Sequence, residues 1–190
     1  MMMERPTMAS LSRQAADEIA GVLSAVRDEQ VDSLRTVLVA APYILTYGVG
    51  REGLVMRSFA MRLMHLGLPV GVVGDMTAGP LTPNSLFVCS AGPGHFSTVA
   101  ALMEVARNSG AGVALFTAHP ESPLVQRATH VIETPAHTLT GSRTGAASRQ
   151  IMGSVYEQSL WVLLDCVIWQ MAQELGRPQS DMAQRHTNME

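Results

Sequence analysis

The sequence predicts one doubly wound α/β domain: a five-stranded parallel sheet flanked by helices. Two observations carry this. Five short runs, "YILTYG", "PVGVVG", "SLFVCS", "GVALFT" and "THVIET", are continuously apolar rather than alternating, as strands covered on both faces are. Segments of helical periodicity separate them, and such alternation builds parallel sheets. No repeat, low-complexity tract or linker divides the 190 residues, a length that supports a full core in one domain.

The elements follow in order. From Ala9 to Val39, residues Leu11, Ala15, Ile19, Val22, Leu23 and Val26 recur at three- and four-residue steps, predicting an N-terminal helix over 9–39 that Pro42 stops. Tyr43–Gly48 is the first strand. A helix over Glu52–Leu66 carries an apolar face of Leu54, Val55, Phe59, Leu63 and Leu66. Pro69–Gly74 reads as a second buried strand, and "DMTAGPLTPN" as a loop dense in turn residues. Ser85–Ser90 is the third strand, followed by the loop "AGPGHF" and a helix over Ser97–Ser109. Gly112–Thr117 and Thr129–Thr134 are the fourth and fifth strands, with a turn and short helix in "HPESPLVQRA" between them. A polar loop over 135–148 leads to one long helix, Arg149–Leu175, and a tail over 177–190. On that helix Trp161, Leu164, Ile168 and Met171 recur as a stripe that suits either the core of one subunit or a dimer seam.

Composition narrows the function classes. A net charge of −3 gives no basic stripe for nucleic acid. Aromatics are only 5%, so aliphatic residues and thirteen methionines must fill the core. Cys89 and Cys166 lie in apolar runs and read as buried thiols in a reducing compartment. "MMMERPTMAS" lacks the apolar stretch of a secretory leader. Glu157 and Asp165 interrupt the most apolar segment, Ile151–Ala172, which therefore reads as a buried helix and not a membrane span. A cytoplasmic protein with no membrane partner is expected.

In a doubly wound sheet ligands bind beyond the C-terminal strand ends, which points to the loops after the first and third strands. In "GVGREG", Gly48, Gly50 and Gly53 either form a nest of backbone N–H groups for an anion or only permit a tight turn. Asp75 comes too late for the dinucleotide fingerprint. Glu52 either faces the ligand or complements the helix macrodipole. The six histidines show no paired spacing, so no metal site is expected. His65, following Met64 on a helix, reads from the residues alone as a packed core histidine rather than a functional one. Glu157 lies among Ser154, Leu160 and Trp161, a setting that disfavours a charge unless it is paired or functional. Burial would raise its pKa and suit it to general-base work; the alternative is an ion pair with an arginine such as Arg149. Asp165 faces a similar way and reads as structural.

"GVGREG", "SFAMRLMHLGLPVGVVGD", "IMGSVYEQSLWVLLD" and the closing "RHTNME" together resemble the sugar isomerase (SIS) domain family, and within it the 6-phospho-3-hexuloisomerases. The resemblance runs from Ser10 to Glu190. It implies a sugar or sugar phosphate substrate, isomerisation between 3-hexulose 6-phosphate and fructose 6-phosphate through an enediol, no metal or organic cofactor, and a homotetramer (or homodimer) with sites at subunit interfaces. By the same resemblance Glu157 is the base, His65 assists ring opening or proton transfer, and His186 in the tail reaches a neighbouring subunit's site. Arg51 holds substrate oxygens or phosphate, with Gly48, Gly50, Glu52, Ser90, Gly92, Gly94 and His95 around it.

Two loops depart from the family's pattern. Its first loop reads G-x-G-R-S-G, with a serine where this chain has Glu52. Its second reads S-G-S-G-E-T, where this chain has Ala91-Gly92-Pro93-Gly94-His95-Phe96, and proline removes a backbone donor. A phosphate 4 Å from the Glu52 carboxylate would be repelled by about 4 kcal/mol at an effective dielectric near 20. Arg51, His95 or Arg143 would have to offset it. The expected substrate therefore has an altered or unphosphorylated end, and a non-catalytic sugar-binding protein of the same family is the alternative.

Overall fold

In the computed structural model, which describes residues 5–141 and 148–189, five strands form one parallel sheet in the order β2-β1-β3-β4-β5. They are β1 (Ile44–Tyr47), β2 (Val70–Val72), β3 (Leu86–Ser90), β4 (Gly112–Thr117) and β5 (His130–Glu133). Arg143 and the centre of the 135–148 loop lie outside the described residues. The chain winds outward from β1 to β2, then returns past β1 to β3, so the winding reverses between β1 and β3. Tyr47 pairs in register with Cys89 and Ser90 with Phe116, which brings the loops after these strands to one edge of the sheet.

Helices α2 (Asp28–Ala40), α3 (Gly50–His65) and α5 (Ser154–Glu174) pack on one face, and α4 (Ser97–Asn108) on the other. β3 shows why the strands are continuously apolar: Leu86 and Val88 enter one core with Leu34, Met56 and Leu160. Phe87 and Cys89 enter the other with Val99 and Met103. At roughly 25 cal/mol per Å² of apolar area, these two cores are the main stabilising term.

Several elements differ from the sequence expectation. The N-terminal helix is two helices, α1 (Met8–Leu23) and α2. Ser24 Oγ turns back onto the Ala20 and Gly21 carbonyls, and Arg27 is extended with ψ 125°. Asp28 and Glu29 then favour a new helix start. The apolar period runs through the break and hides it. α1 buries none of its own residues and lies on α5. β2 is a half-buried edge strand of three residues, not a buried one, because it has a neighbour on one side only. α5 begins at Ser154 instead of Arg149, since Met152 and Gly153 both take positive φ, 57° and 77°. The short helix after β4 is a single 3-10 turn, Val125–Arg127, and the tail contains a short helix α6 (Gln179–Ala183).

Cys89 is buried but Cys166 is exposed. α5 turns Trp161, Asp165, Cys166 and Trp169 outward together, a helical phase that an apolar run does not reveal. The stripe on this helix accordingly splits: Leu164, Ile168 and Met171 belong to the core, whereas Trp161 stays 44% exposed. Among the described residues no helix is long and apolar enough to cross a membrane.

Candidate functional site

The reversal of winding leaves a crevice between the loops after β1 and β3, the position at which open α/β sheets seat ligands. Its walls are set by glycines. A Cβ on Gly53 would lie 2.6 Å from Gly48 O, and one on Gly48 2.9 Å from Gly53 N. These two glycines let the first turn of α3 close against the end of β1, as the tight-turn reading holds. Gly50 differs: it has φ 57° and open space around it. Across the crevice, a Cβ on Gly92 would lie 2.5 Å from Tyr156 Cε1, so the β3–α4 loop backbone rests on that ring.

Glu52 enters this crevice from the first turn of α3 and is 5% exposed. Its Oε2 accepts from Ser90 Oγ at 2.5 Å and from the Gly92 N–H at 3.0 Å. Ser90 Oγ in turn shares a hydrogen bond of 3.0 Å with the Tyr156 hydroxyl. Three residues expected to meet a ligand thus meet one another. Burial pushes the Glu52 carboxyl up, the Ser90 and Gly92 bonds oppose this, and the charge of Glu157 adds to the rise. Tyr156, which the sequence reading passes over, has its phenol pushed up by burial and by Glu52. Its place directly before Glu157 was the available signal.

Glu157 stands on the first turn of α5 and pairs with Arg51, not with Arg149. Arg51 Nε lies 2.9 Å from Glu157 Oε2, without the alignment of a hydrogen bond, and Arg51 Nη1 donates to Ser154 Oγ at 3.1 Å. Arg149 is held elsewhere. Glu18 on α1 accepts from its backbone N–H, from Ser148 Oγ and from the amides of Gln14 and Gln150, fastening the segment that leads into α5. Burial pushes the Glu157 carboxyl up and Arg51 pulls it down. Arg51 and Glu157 line a cavity of about 340 Å³ with Ile19, Leu54, Val55 and Trp161. A larger cavity, about 740 Å³, lies by Arg62, Asp165, Trp169 and Met182. Neither Arg51 nor Glu157 lines it, so the smaller cavity is the better candidate.

His65 and His186 sit elsewhere. His65 is buried at the far end of α3, with the His186 ring stacked on it at 5.2 Å and 27°. Arg185 Nη1 donates to the His65 and Asp181 carbonyls, folding the tail onto its own α3. Thirteen residues of helix separate Glu52 from His65, about 20 Å at 1.5 Å per residue. One chain therefore brings Arg51, Glu52, Ser90, Gly92 and Glu157 together but keeps both histidines apart from them.

His95 is exposed in the β3–α4 loop. Gly94, φ 89°, packs against His119, where a Cβ would lie 3.0 Å from the His119 Cβ. The His119 ring contacts Thr138 Oγ1 and Glu121 Oε1. Among the described residues no group of three or more His, Cys, Asp or Glu is placed to hold a metal.

Comparison with known proteins agrees with this fold. The family model described as the SIS domain matches residues 38–160, from α2 to the first turns of α5. A Mycobacterium gastri protein named 3-hexulose-6-phosphate isomerase is 37% identical over 92% of this chain and 87% of its own length. A Bacillus subtilis protein of the same name is 30% identical over 92% and 94%. A Methanococcus jannaschii crystal structure, reported to infer a molecular function of 3-hexulose-6-phosphate isomerase, superposes with a TM-score of 0.81 at 25% identity. It covers 95% of this chain and 99% of that one. With its sheet order, its crevice and the span from α2 into α5 all accounted for, the chain belongs to the SIS domain family.

Proposed function

We propose that the chain is a sugar isomerase of the 3-hexulose-6-phosphate isomerase kind, acting on a sugar or sugar phosphate through an enediol. The carrying observation is Glu157: a half-buried carboxylate with a raised pKa, beside a guanidinium, at a cavity next to the ligand crevice. The two curated relatives, matched over nine-tenths of the chain, support the same reading. Glu157 takes a proton from the carbon beside the carbonyl. Arg51 faces the oxygens, where negative charge develops in the enediolate. The proton returns to the neighbouring carbon. The electron pair stays within the sugar, so the step calls for no redox cofactor.

His65 and His186 serve this reaction at a neighbouring subunit's Glu157, since His65 lies about 20 Å along α3 from Glu52 and the His186 ring stacks on His65 there. The working form is then a homotetramer or homodimer. Leu54 and Trp161, exposed at the rim of the cavity, fit a surface that a second copy covers. A cytoplasmic setting suits the unpaired Cys89 and Cys166.

The test is solvent exchange. Incubated with a panel of free and phosphorylated ketoses in deuterium oxide, the enzyme incorporates deuterium into carbon, and Glu157→Gln does not. Absence of incorporation by the wild type across the whole panel would leave a sugar-binding protein without turnover.

A further inference from the structure

The crevice where this fold seats ligands already contains a carboxylate of the chain itself. Glu52 Oε2 takes the two polar hydrogens that the β3 end and its loop present there, the Ser90 hydroxyl and the Gly92 N–H. Pro93, next in the loop, has no N–H to offer. Ala91, Gly92, Gly94 and Phe96 bring no hydroxyl. Arg51, the cation of the facing loop, is engaged by Glu157 and Ser154. An oxyanion seated between Ser90 and Gly92 finds both of those donors taken by Glu52.

We infer that Glu52 is the specificity-determining residue of the site: its carboxylate stands where an anionic end group would bind, so the crevice receives a neutral, hydroxyl-bearing end of a sugar and turns a phosphate away. This rests on the isomerase reading and narrows its substrate class. A sugar hydroxyl can donate to a carboxylate, and both bonds Glu52 receives fall on Oε2, leaving Oε1 for that purpose. Ionised, Glu52 only accepts, and it adds like-charge repulsion against an incoming phosphate.

The test is titration calorimetry with ketohexoses and their 6-phosphates as matched pairs, fructose and fructose 6-phosphate first, and with inorganic phosphate alone. Wild type binds the free sugar at least as tightly as its phosphate and gives no heat with millimolar inorganic phosphate. Glu52→Ser frees Gly92 N–H and adds a hydroxyl, and shifts the preference about tenfold or more toward the phosphorylated sugar. Glu52→Gln keeps an acceptor at the same place and so guards the fold; it shifts the preference less. A wild type that prefers the 6-phosphate by about tenfold overturns the inference, as does a folded Glu52→Ser variant with an unchanged ratio. A wild type that neither binds nor exchanges deuterium into any sugar of the panel overturns the isomerase reading, and this narrowing falls with it. One that exchanges deuterium into the phosphorylated sugars preferentially overturns the narrowing alone.

Discussion

Arg51 Nε and Glu157 Oε2 lie 2.9 Å apart, joining the first turns of α3 and α5 across the mouth of the cavity. Burial raises the Glu157 carboxyl and Arg51 lowers it. The base must be ionised to act. Arg51→Gln removes the lowering influence, so the acidic limb of the kcat/KM profile moves to higher pH. Glu157→Gln lowers kcat by about 10²–10⁴, the range for losing a general base. A pH–rate profile in which the acidic limb of Arg51→Gln stays in place would remove Arg51 from this role.

Two inactive variants should rescue each other. If the histidine pair of one subunit serves the Glu157 of another, His65→Ala and Glu157→Gln oligomers, dissociated and reassembled together, form some intact sites and recover measurable activity. Each variant reassembled alone does not. No recovery from verified mixed oligomers would confine each site to one chain.

Glu52 gives stability a definite pH dependence. Its folded pKa is raised above the ordinary 4.5, so between 4.5 and the raised value the native state holds a proton that the unfolded state has lost. Stability therefore falls as pH climbs through that window. Glu52→Gln flattens the slope, leaving the part that Glu157, shifted the same way, contributes. Thermal unfolding midpoints from pH 4 upward check it, and an identical slope in both proteins would contradict it.

Glu18 has the opposite sign. Burial raises its carboxyl, but the bonds from Ser148, Gln14, Arg149 and Gln150 together outweigh this and lower it to about 2. Its contribution is present above the ordinary 4.5 and is lost as pH falls from there toward about 2. Glu18→Gln should flatten the acid side of the unfolding curve and loosen 148–150, read as faster amide exchange in that segment.

Gly92→Ala would place a methyl 2.5 Å from the Tyr156 ring. Overpacking of this kind destabilises by about 1–3 kcal/mol. At Gly50 nothing lies within 4 Å of the added Cβ, so alanine there carries only the strain of φ 57°, about 1 kcal/mol. Denaturant midpoints of the two variants should rank in that order.

The sequence by itself determined the class of the fold, its five strands, the two loops at the crevice and the family. Continuous apolar strands, glycines at strand ends and the block around Glu157 are local signals, and local signals survive in one dimension. It marked Glu157 and Arg51 separately. Only the tertiary structure joined them, because their contact spans more than a hundred residues and depends on how α3 and α5 start side by side. The break between α1 and α2 was masked by an apolar period that continues through it. The outward face of Cys166 was masked because helical phase sets exposure. Most of all, sequence left open whether Glu52 faces a ligand or complements the helix macrodipole. The structure turns it into the crevice onto Ser90 and Gly92, since the winding reversal between β1 and β3 sets their loops side by side there.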